Sequence, residues 1–324
     1  MLEKQENQQE IRDTLRPQTF SDYIGQDKIK EIVSVYIEAA KKRNEPLEHM
    51  LFYGPPGLGK TTIAMIIANE MGKKIHILTG PNLEKPADIV TTLVNVEDGD
   101  IVFIDEIHRI NRAVEEVMYS AMEDFAIDLK IGEGMQQKCI RLDLPRFTII
   151  GATTRVGMLT APLRDRFGLV NRMQYYTDRQ LCQIIANSAA KLNVEIDEDG
   201  KQEIAQRSRG TPRLANRMLK QVRNFAQVKY DNCLNAQNIR EILRFVGVDE
   251  LGLDENDLKY LKYIDMIGDG RGVGLHTLSS ALGEDVGTIE DVYEPYLLNM
   301  GFINKTPQGR VLTEKAKKHL SNIK

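Results

Sequence analysis

The eight-residue run GPPGLGKT, residues 54–61, constrains the fold of this chain more than any other feature. It meets the phosphate-loop pattern G-x-x-x-x-G-K-[ST] at every fixed position. Gly54, Gly57 and Gly59 let backbone N–H groups curve around phosphate oxygens with no Cβ in the way. In that pattern Lys60 reaches the β- and γ-phosphates, and the Thr61 hydroxyl ligates Mg²⁺. The flanks agree. MLFY (50–53) reads as a short buried strand, and TTIAMIIANEMG (61–72) as a helix whose N-terminus faces the phosphates. A chance glycine-rich turn would lack both flanks. The run therefore implies a parallel α/β sheet carrying a nucleoside triphosphate site.

The other motifs fall where that sheet would put them. IVFIDE (101–106) is four apolar residues followed by two acids, the pattern of a buried parallel strand whose carboxyl end meets a ligand crevice. Asp105 is the candidate Mg²⁺ partner, and Glu106 the candidate general base for the attacking water. For His108 and Arg109, which follow, a helix start and a direct role remain equally open. FTIIGATTR (147–155) brings Thr153 and Thr154 to a neighbouring strand tip, though β-branched residues favour strands in any case. APLRDRFG (161–168) holds Arg164 and Arg166 around Asp165. An arginine reaching the next subunit's γ-phosphate would stabilise transition-state charge, but for an isolated R-D-R a surface ion pair with Asp165 is the better reading. In GTPRLANRMLK (210–220), Thr211 suits an N-cap and Pro212 the first helical position. Arg213 then opposes the helix dipole, so an anion is expected beside it.

Length and composition bound the rest. A chain of 324 residues, 42% hydrophobic and 28% charged, fits a globular protein of two or three domains. No apolar run approaches the roughly 18 residues of a membrane span. The polar start MLEKQENQQE resembles no signal or transit peptide, and residues 1–13 are expected to be a disordered lead-in. Cys139, Cys182 and Cys233 are odd in number and scattered, so no disulfide framework or zinc site is suggested and a cytoplasmic location fits. The five histidines show no ligand spacing. Net charge is −4, yet residues 301–324 carry six basic residues and one acid. That segment suits phosphate contact, or merely a solvated helix face.

In order and spacing these segments resemble the AAA+ ATPases, and among them the RuvB family of Holliday-junction branch-migration motors. The resemblance runs from Leu15 onward, carried by LRPQTFSDYIGQ, GPPGLGKTT, IDEIHRI, DLPRFTIIGATTR, LTAPLRDRFG, RGTPRLANR, GTIEDVYEPYLL and TPQGR. It implies that Thr154 is the first sensor, Arg166 an arginine finger acting on the next subunit, and Arg213 the second sensor. It implies that Leu15, Arg16, Pro17, Tyr23 and Ile24 pack the adenine and ribose. Gly57, Leu58, Gly59, Lys60, Thr61, Thr62, Tyr176 and Pro212 would complete the ATP contacts. It further implies a homo-hexamer acting on duplex DNA and Holliday junctions, with RuvA docked on a β-hairpin at residues 125–142, and RuvC as a further partner. A hairpin here has independent support, since Gly132-Glu133-Gly134 sits between β-prone flanks, although without the family resemblance a plain surface hairpin is the favoured reading.

The expected architecture is a parallel-sheet P-loop core (14–178), a small helical lid (179–250) and a C-terminal winged helix (251–324). Four stretches at helical spacing make the lid. Three helices precede two short strands, FINK and GRVLT, around Thr306-Pro307-Gln308-Gly309. Thr288 and Asp291 resemble a capping box. The third domain has nine basic and eleven acidic residues, net −2, so DNA contact should be focal and lie at the wing, on Lys305 and Arg310. Family wings usually read TPRGR; here Gln308 replaces the first arginine, and His276 is unexplained. An ATP-gated DNA-binding switch of the initiator kind is the main alternative. A clamp loader fits less well, because its third domain would be a helical collar.

Overall fold

A computed structural model describes residues 15–131, 138–232, 234–268 and 270–323. The chain separates into two compact units, one ending at Tyr176 and one beginning at Thr177. The expected lead-in, the Gly132-Glu133-Gly134 turn and Cys233 lie outside the described residues.

The first unit is built on a parallel sheet. Helix α1 (Asp27–Arg43) precedes strand β1 (Met50–Tyr53) and helix α2 (Lys60–Met71). Then come β2 (Ile75–Thr79), α3 (Pro86–Leu93), β3 (Ile101–Asp105) and α4 (Arg112–Glu123). After a hairpin the chain returns through β6 (Thr148–Thr153), a short α5 (Ala161–Arg164) and β7 (Leu169–Arg172). Strand order is β2-β3-β6-β1-β7, every pairing parallel. All six residues of β6 are buried, as are four of the five in β3. This is why both strands read as continuous apolar runs rather than alternating ones. The core runs from these strands to Ile89, Leu93, Val114 and Met118 of the covering helices.

His49, just before β1, ties three elements together. Its Nδ1 accepts from the Ile149 N–H at 2.9 Å. Its Nε2 therefore carries the proton and donates to the Met122 carbonyl at 3.0 Å. Burial pushes its pKa down.

The hairpin pairs β4 (Ala126–Ile131) with β5 (Lys138–Asp143), antiparallel. Phe125 turns into it at φ 51°, with its ring edge-on to Phe147 at 5.6 Å and its carbonyl accepting from the Leu144 N–H. The hairpin root is thus packed into the core, while Ile140 and Leu142 stay exposed.

The second unit opens with α6 (Asp178–Lys191), capped by a reciprocal Thr177–Gln180 pair. Then follow α7 (Glu198–Arg207), α8 (Pro212–Lys229) and α9 (Ala236–Phe245). The winged helix comprises α10 (Glu255–Gly268), α11 (Leu275–Leu282), α12 (Val286–Thr288), a π-helical turn at Ile289–Tyr293, α13 (Glu294–Asn299), strands β8 (Ile303–Thr306) and β9 (Gly309–Leu312), and α14 (Glu314–Asn322). Its core gathers Tyr260, Leu278, Leu297 and Phe302. Val273 bridges to Arg310, adding one residue to the wing's two-stranded sheet.

Two capping expectations need correction. Thr211 occupies the N-cap of α8, but its hydroxyl donates to the Ser208 carbonyl instead of capping the helix. Thr288 and Asp291 form no box, because the helix has already begun at Val286 and both residues lie within it. Among the described residues no helix is long and apolar enough to cross a membrane.

Candidate nucleotide site and wing

Parallel pairing brings the carboxyl ends of β3, β6 and β1, three adjacent strands, to one edge of the sheet. The phosphate loop leaves β1 there, with Gly54 at φ 140° and Gly59 at φ 99°, conformations that strongly favour glycine. Lys60 is buried and donates through Nζ to the Gly54 carbonyl at 2.7 Å and the Pro55 carbonyl at 2.8 Å. An ammonium resting on carbonyls of its own loop has a position that phosphate oxygens can take over. Thr61 and Thr62 lie half-buried in the first turn of α2.

Tyr23 and Tyr176 meet behind this loop, although 153 residues separate them. The Tyr176 hydroxyl lies 3.1 Å from that of Tyr23 and 3.2 Å from the Leu58 carbonyl. Tyr23 also reaches that carbonyl, at 3.4 Å. Burial raises both phenol pKa values, so both hydroxyls stay protonated donors. A Cβ at Gly59 would lie 2.7 Å from the Tyr23 hydroxyl, so the loop fits against the tyrosine only as glycine. The Leu58 side chain is fully buried, so what this residue turns toward the loop wall is its backbone. Leu15 is buried, while Arg16 and Ile24 are half-buried.

Sequence reasoning missed Gln26 as a strut. Its side-chain amide donates to the Gln174 carbonyl at 2.7 Å and accepts the Gln174 N–H at 3.0 Å. The pair clips the 15–26 segment to the strand exit after β7. Only its place in a quoted motif hinted at it, since an isolated glutamine carries no spacing signal.

At the tip of β3, Asp105 accepts the Glu106 N–H at 3.0 Å and is half-buried. Glu106 adopts φ 50° and is exposed, its carboxylate 3.2 Å from Arg109. Arg109 thus lies beside the candidate base, both side chains exposed. At the tip of β6 the two threonines differ. Thr153 is buried, and its hydroxyl is engaged by His108 Nδ1 at 3.0 Å and by the Arg155 N–H at 2.9 Å. Thr154 is the half-buried one.

Arg166 is not paired with Asp165. Its guanidinium donates to Glu123 at 2.6 Å and to the Pro162 carbonyl at 2.8 Å. It also lies over the Tyr119 ring at 4.6 Å. The Tyr119 hydroxyl donates to the buried Glu115, which also accepts from Thr160 at 2.8 Å. Residues of α4 thus hold this arginine, which sequence adjacency could not reveal.

In the second unit Pro212 starts α8 and Arg213 is exposed in its first turn, with no acidic residue in that turn. At the wing, both candidate cations have acidic partners. Arg310 is 13% exposed and donates through Nε to Glu294 at 2.7 Å, with Glu290 at 3.5 Å. Lys305 reaches Glu294 at 2.5 Å. Glu294 is fully buried and also accepts from the Tyr260 hydroxyl at 2.9 Å. These donors outweigh the cost of burying Glu294 and lower its pKa. Arg310 is therefore largely buried against Glu294, with Glu290 beside it. Gln308 and His276 are exposed, and nothing in the structure explains His276.

The donor set fits a magnesium nucleotide. Carbonyl-seated Lys60, positive-φ glycines and two oxygen donors, Thr61 and Asp105, suit phosphates and a hard cation. No cluster of three or more His, Cys, Asp or Glu side chains that could hold a metal ion occurs among the described residues.

Family models cover nearly the whole chain. The RuvB P-loop domain of the Holliday junction DNA helicase matches residues 15–173, the RuvB AAA lid domain 176–249, and the RuvB C-terminal winged helix domain 250–321. A Holliday junction branch migration complex subunit RuvB from Campylobacter fetus subsp. fetus (strain 82-40) is 53% identical over 315 residues, covering 97% of this chain and 91% of its own. The solved Thermotoga maritima RuvB Holliday junction branch migration motor is 46% identical, with a TM-score of 0.87, covering 95% of this chain and 98% of that one. A mutant of that protein gives a TM-score of 0.88 at the same identity. The chain belongs to the RuvB family, with an AAA+ P-loop core, a lid and a winged helix.

Proposed function

We propose that this protein is an ATP-driven DNA motor that promotes branch migration of Holliday junctions in recombination and repair. It works in the cytoplasm as a homo-hexameric ring, with RuvA docked on the hairpin and RuvC as a further partner of the assembly. The observation that carries the reading is the convergence of Lys60, Asp105, Glu106 and Thr154 on one edge of the sheet.

The chemistry follows from the residues. Lys60 leaves the Gly54 and Pro55 carbonyls for phosphate oxygens. Thr61 and Asp105 would hold Mg²⁺, which would supply charge neutralisation for the phosphates. Glu106, with Arg109 beside it, takes the proton of the attacking water. Thr154 keeps its hydroxyl toward the γ-phosphate, while Thr153 is occupied by His108. Arg166 acts on the neighbouring subunit by exchanging Glu123 for phosphate. Arg213 and Pro212 close the lid side. Leu15, Arg16, Tyr23, Ile24 and Tyr176 surround the base and ribose, with the tyrosine pair also bracing the loop. At the wing, Lys305 and Arg310 meet duplex phosphates only by sharing or leaving Glu294. The exposed Ile140 and Leu142 of the hairpin suit a protein contact.

The test measures ATP turnover with and without duplex, together with displacement of a synthetic four-way junction in the presence of RuvA. Stimulated turnover and displacement are expected, both falling at least about 100-fold in K60A. Nucleotide-dependent DNA binding without displacement would instead favour an ATP-gated switch.

A further inference from the structure

One arginine links the second-sensor turn to the winged helix, and neither the nucleotide motifs nor the wing accounts for it. Arg209 lies between α7 and α8 at φ 51°, followed by Gly210 at φ 67°. A left-handed conformation is costly for any residue with a Cβ, and glycine would fill the position with less strain. The side chain is what distinguishes arginine here, and it leaves the lid altogether. Its Nε donates to the Gly252 carbonyl at 2.7 Å. Its terminal nitrogen pairs with Asp257 and lies 3.8 Å from Asp254. Its guanidinium face rests 5.0 Å from the centre of the Tyr296 ring.

Each of these partners belongs to the winged helix or the segment leading into it. Asp254 and Asp257 close the N-terminus of α10 reciprocally: Asp254 accepts the Asp257 N–H at 3.1 Å, and Asp257 accepts the Asp254 N–H at 2.9 Å. Tyr296 sits on α13 and donates to the Leu251 carbonyl at 2.7 Å. One side chain, 12% exposed, therefore touches the connecting segment, the first helix and the helix that carries Glu294. At its other end there is little slack. The Thr211 N–H and hydroxyl both donate to the Ser208 carbonyl, and Arg213 follows within one helical turn.

We propose that Arg209 is the positioning residue that couples the second-sensor turn, 210–213, to the winged helix. The inference rests on the motor reading. A nucleotide that draws Arg213 moves the start of α8, and the Arg209 fork carries that displacement to α10 and α13. Lysine can keep the pairing with Asp257, but it has no planar fork to reach Gly252 at the same time or to stack on Tyr296.

The experiment compares wild type, R209G, R209K and Y296L in the full chain. R209G removes the side chain while relaxing the backbone; because it also strands the buried Asp257, its melting point is measured beside the stimulation ratio. Binding of a fluorescent ATP analogue, duplex affinity and unstimulated ATPase should stay within about threefold of wild type. Stimulation of ATPase by duplex should fall at least about fivefold in R209G, the low end of ordinary coupling between sites, with R209K intermediate. Full stimulation in R209G overturns the proposal, as does a lower melting point with the stimulation ratio intact. If R209G fails to fold, Y296L reads the same ratio without removing the ion pair, and wild-type stimulation there overturns it. A wild-type ATPase indifferent to duplex would refute the motor reading, and the coupling with it, before any variant is made.

Discussion

The nucleotide site of the first unit and the winged helix of the second treat charge in opposite ways. At the sheet edge the acids are kept accessible: Glu106 is exposed and Asp105 only half-buried, both set by the geometry of strand tips. In the second unit two arginines, Arg209 and Arg310, are tied down. Glu294, fully buried, gathers Arg310 and Lys305, and Asp257, 1% exposed, takes Arg209. The first arrangement leaves charges ready for an incoming ligand. The second uses charge to fix the packing of helices and wing, with Arg310 and Arg209 both largely buried against carboxylates. A buried carboxylate with several donors is costly to break from either side.

The largest expected effect probes the accessible half of this comparison. R166A and E106Q should each lose roughly 10³-fold in ATPase, because finger and base act in the transition state. Mixed rings of the two should regain turnover by pairing an intact finger with an intact base. Mixtures that stay inactive would place Arg166 with Glu123 as a structural pair and make the two units alike. A smaller effect probes the other half. E294A should destabilise the second unit by about 3 kcal/mol, since it leaves the largely buried Arg310 without its main partner. Denaturation followed by hydrogen exchange over residues 255–322 reads this directly. Unchanged protection there would mean that the ion cluster does not hold the wing.

The smallest effect concerns His49, the buried titratable group of the first unit's core. Its folded pKa lies below the ordinary 6.5, so the folded state binds fewer protons than the unfolded chain. Stability should therefore be at its full value above about pH 6.5 and decline as pH falls below it. Urea titrations at pH 8 and pH 5.5 should show a steeper loss in wild type than in H49Q. Equal slopes would remove His49 as the cause.

The elements that sequence alone made legible are local. MLFY, the phosphate loop and the following helix were fixed by short-range rules: glycine for positive φ, apolar runs for buried parallel strands, helical spacing for the lid. Such rules operate within a few residues, so they survive without a tertiary model. The same holds for the order of the motifs, which gave the AAA+ core and the winged helix. Misreadings arose where local signals competed with distant partners. Thr211 looks like a cap until Ser208 claims its hydroxyl, and R-D-R suggests a local pair until Glu123 takes Arg166 from 43 residues away.

The sequence by itself thus determined which chemistry the chain carries and the strands and helices that present it. Only the tertiary structure decided which charges remain available. Tyr23 meets Tyr176, Gln26 meets Gln174, Arg209 meets Asp257 and Arg310 meets Glu294 across long stretches of chain. No periodicity encodes such pairs, because a hydrogen bond or ion pair depends on where two side chains arrive in space. Burial then sets what the pair can do: a carboxylate enclosed with its donors holds structure, while one left at a strand tip can do chemistry.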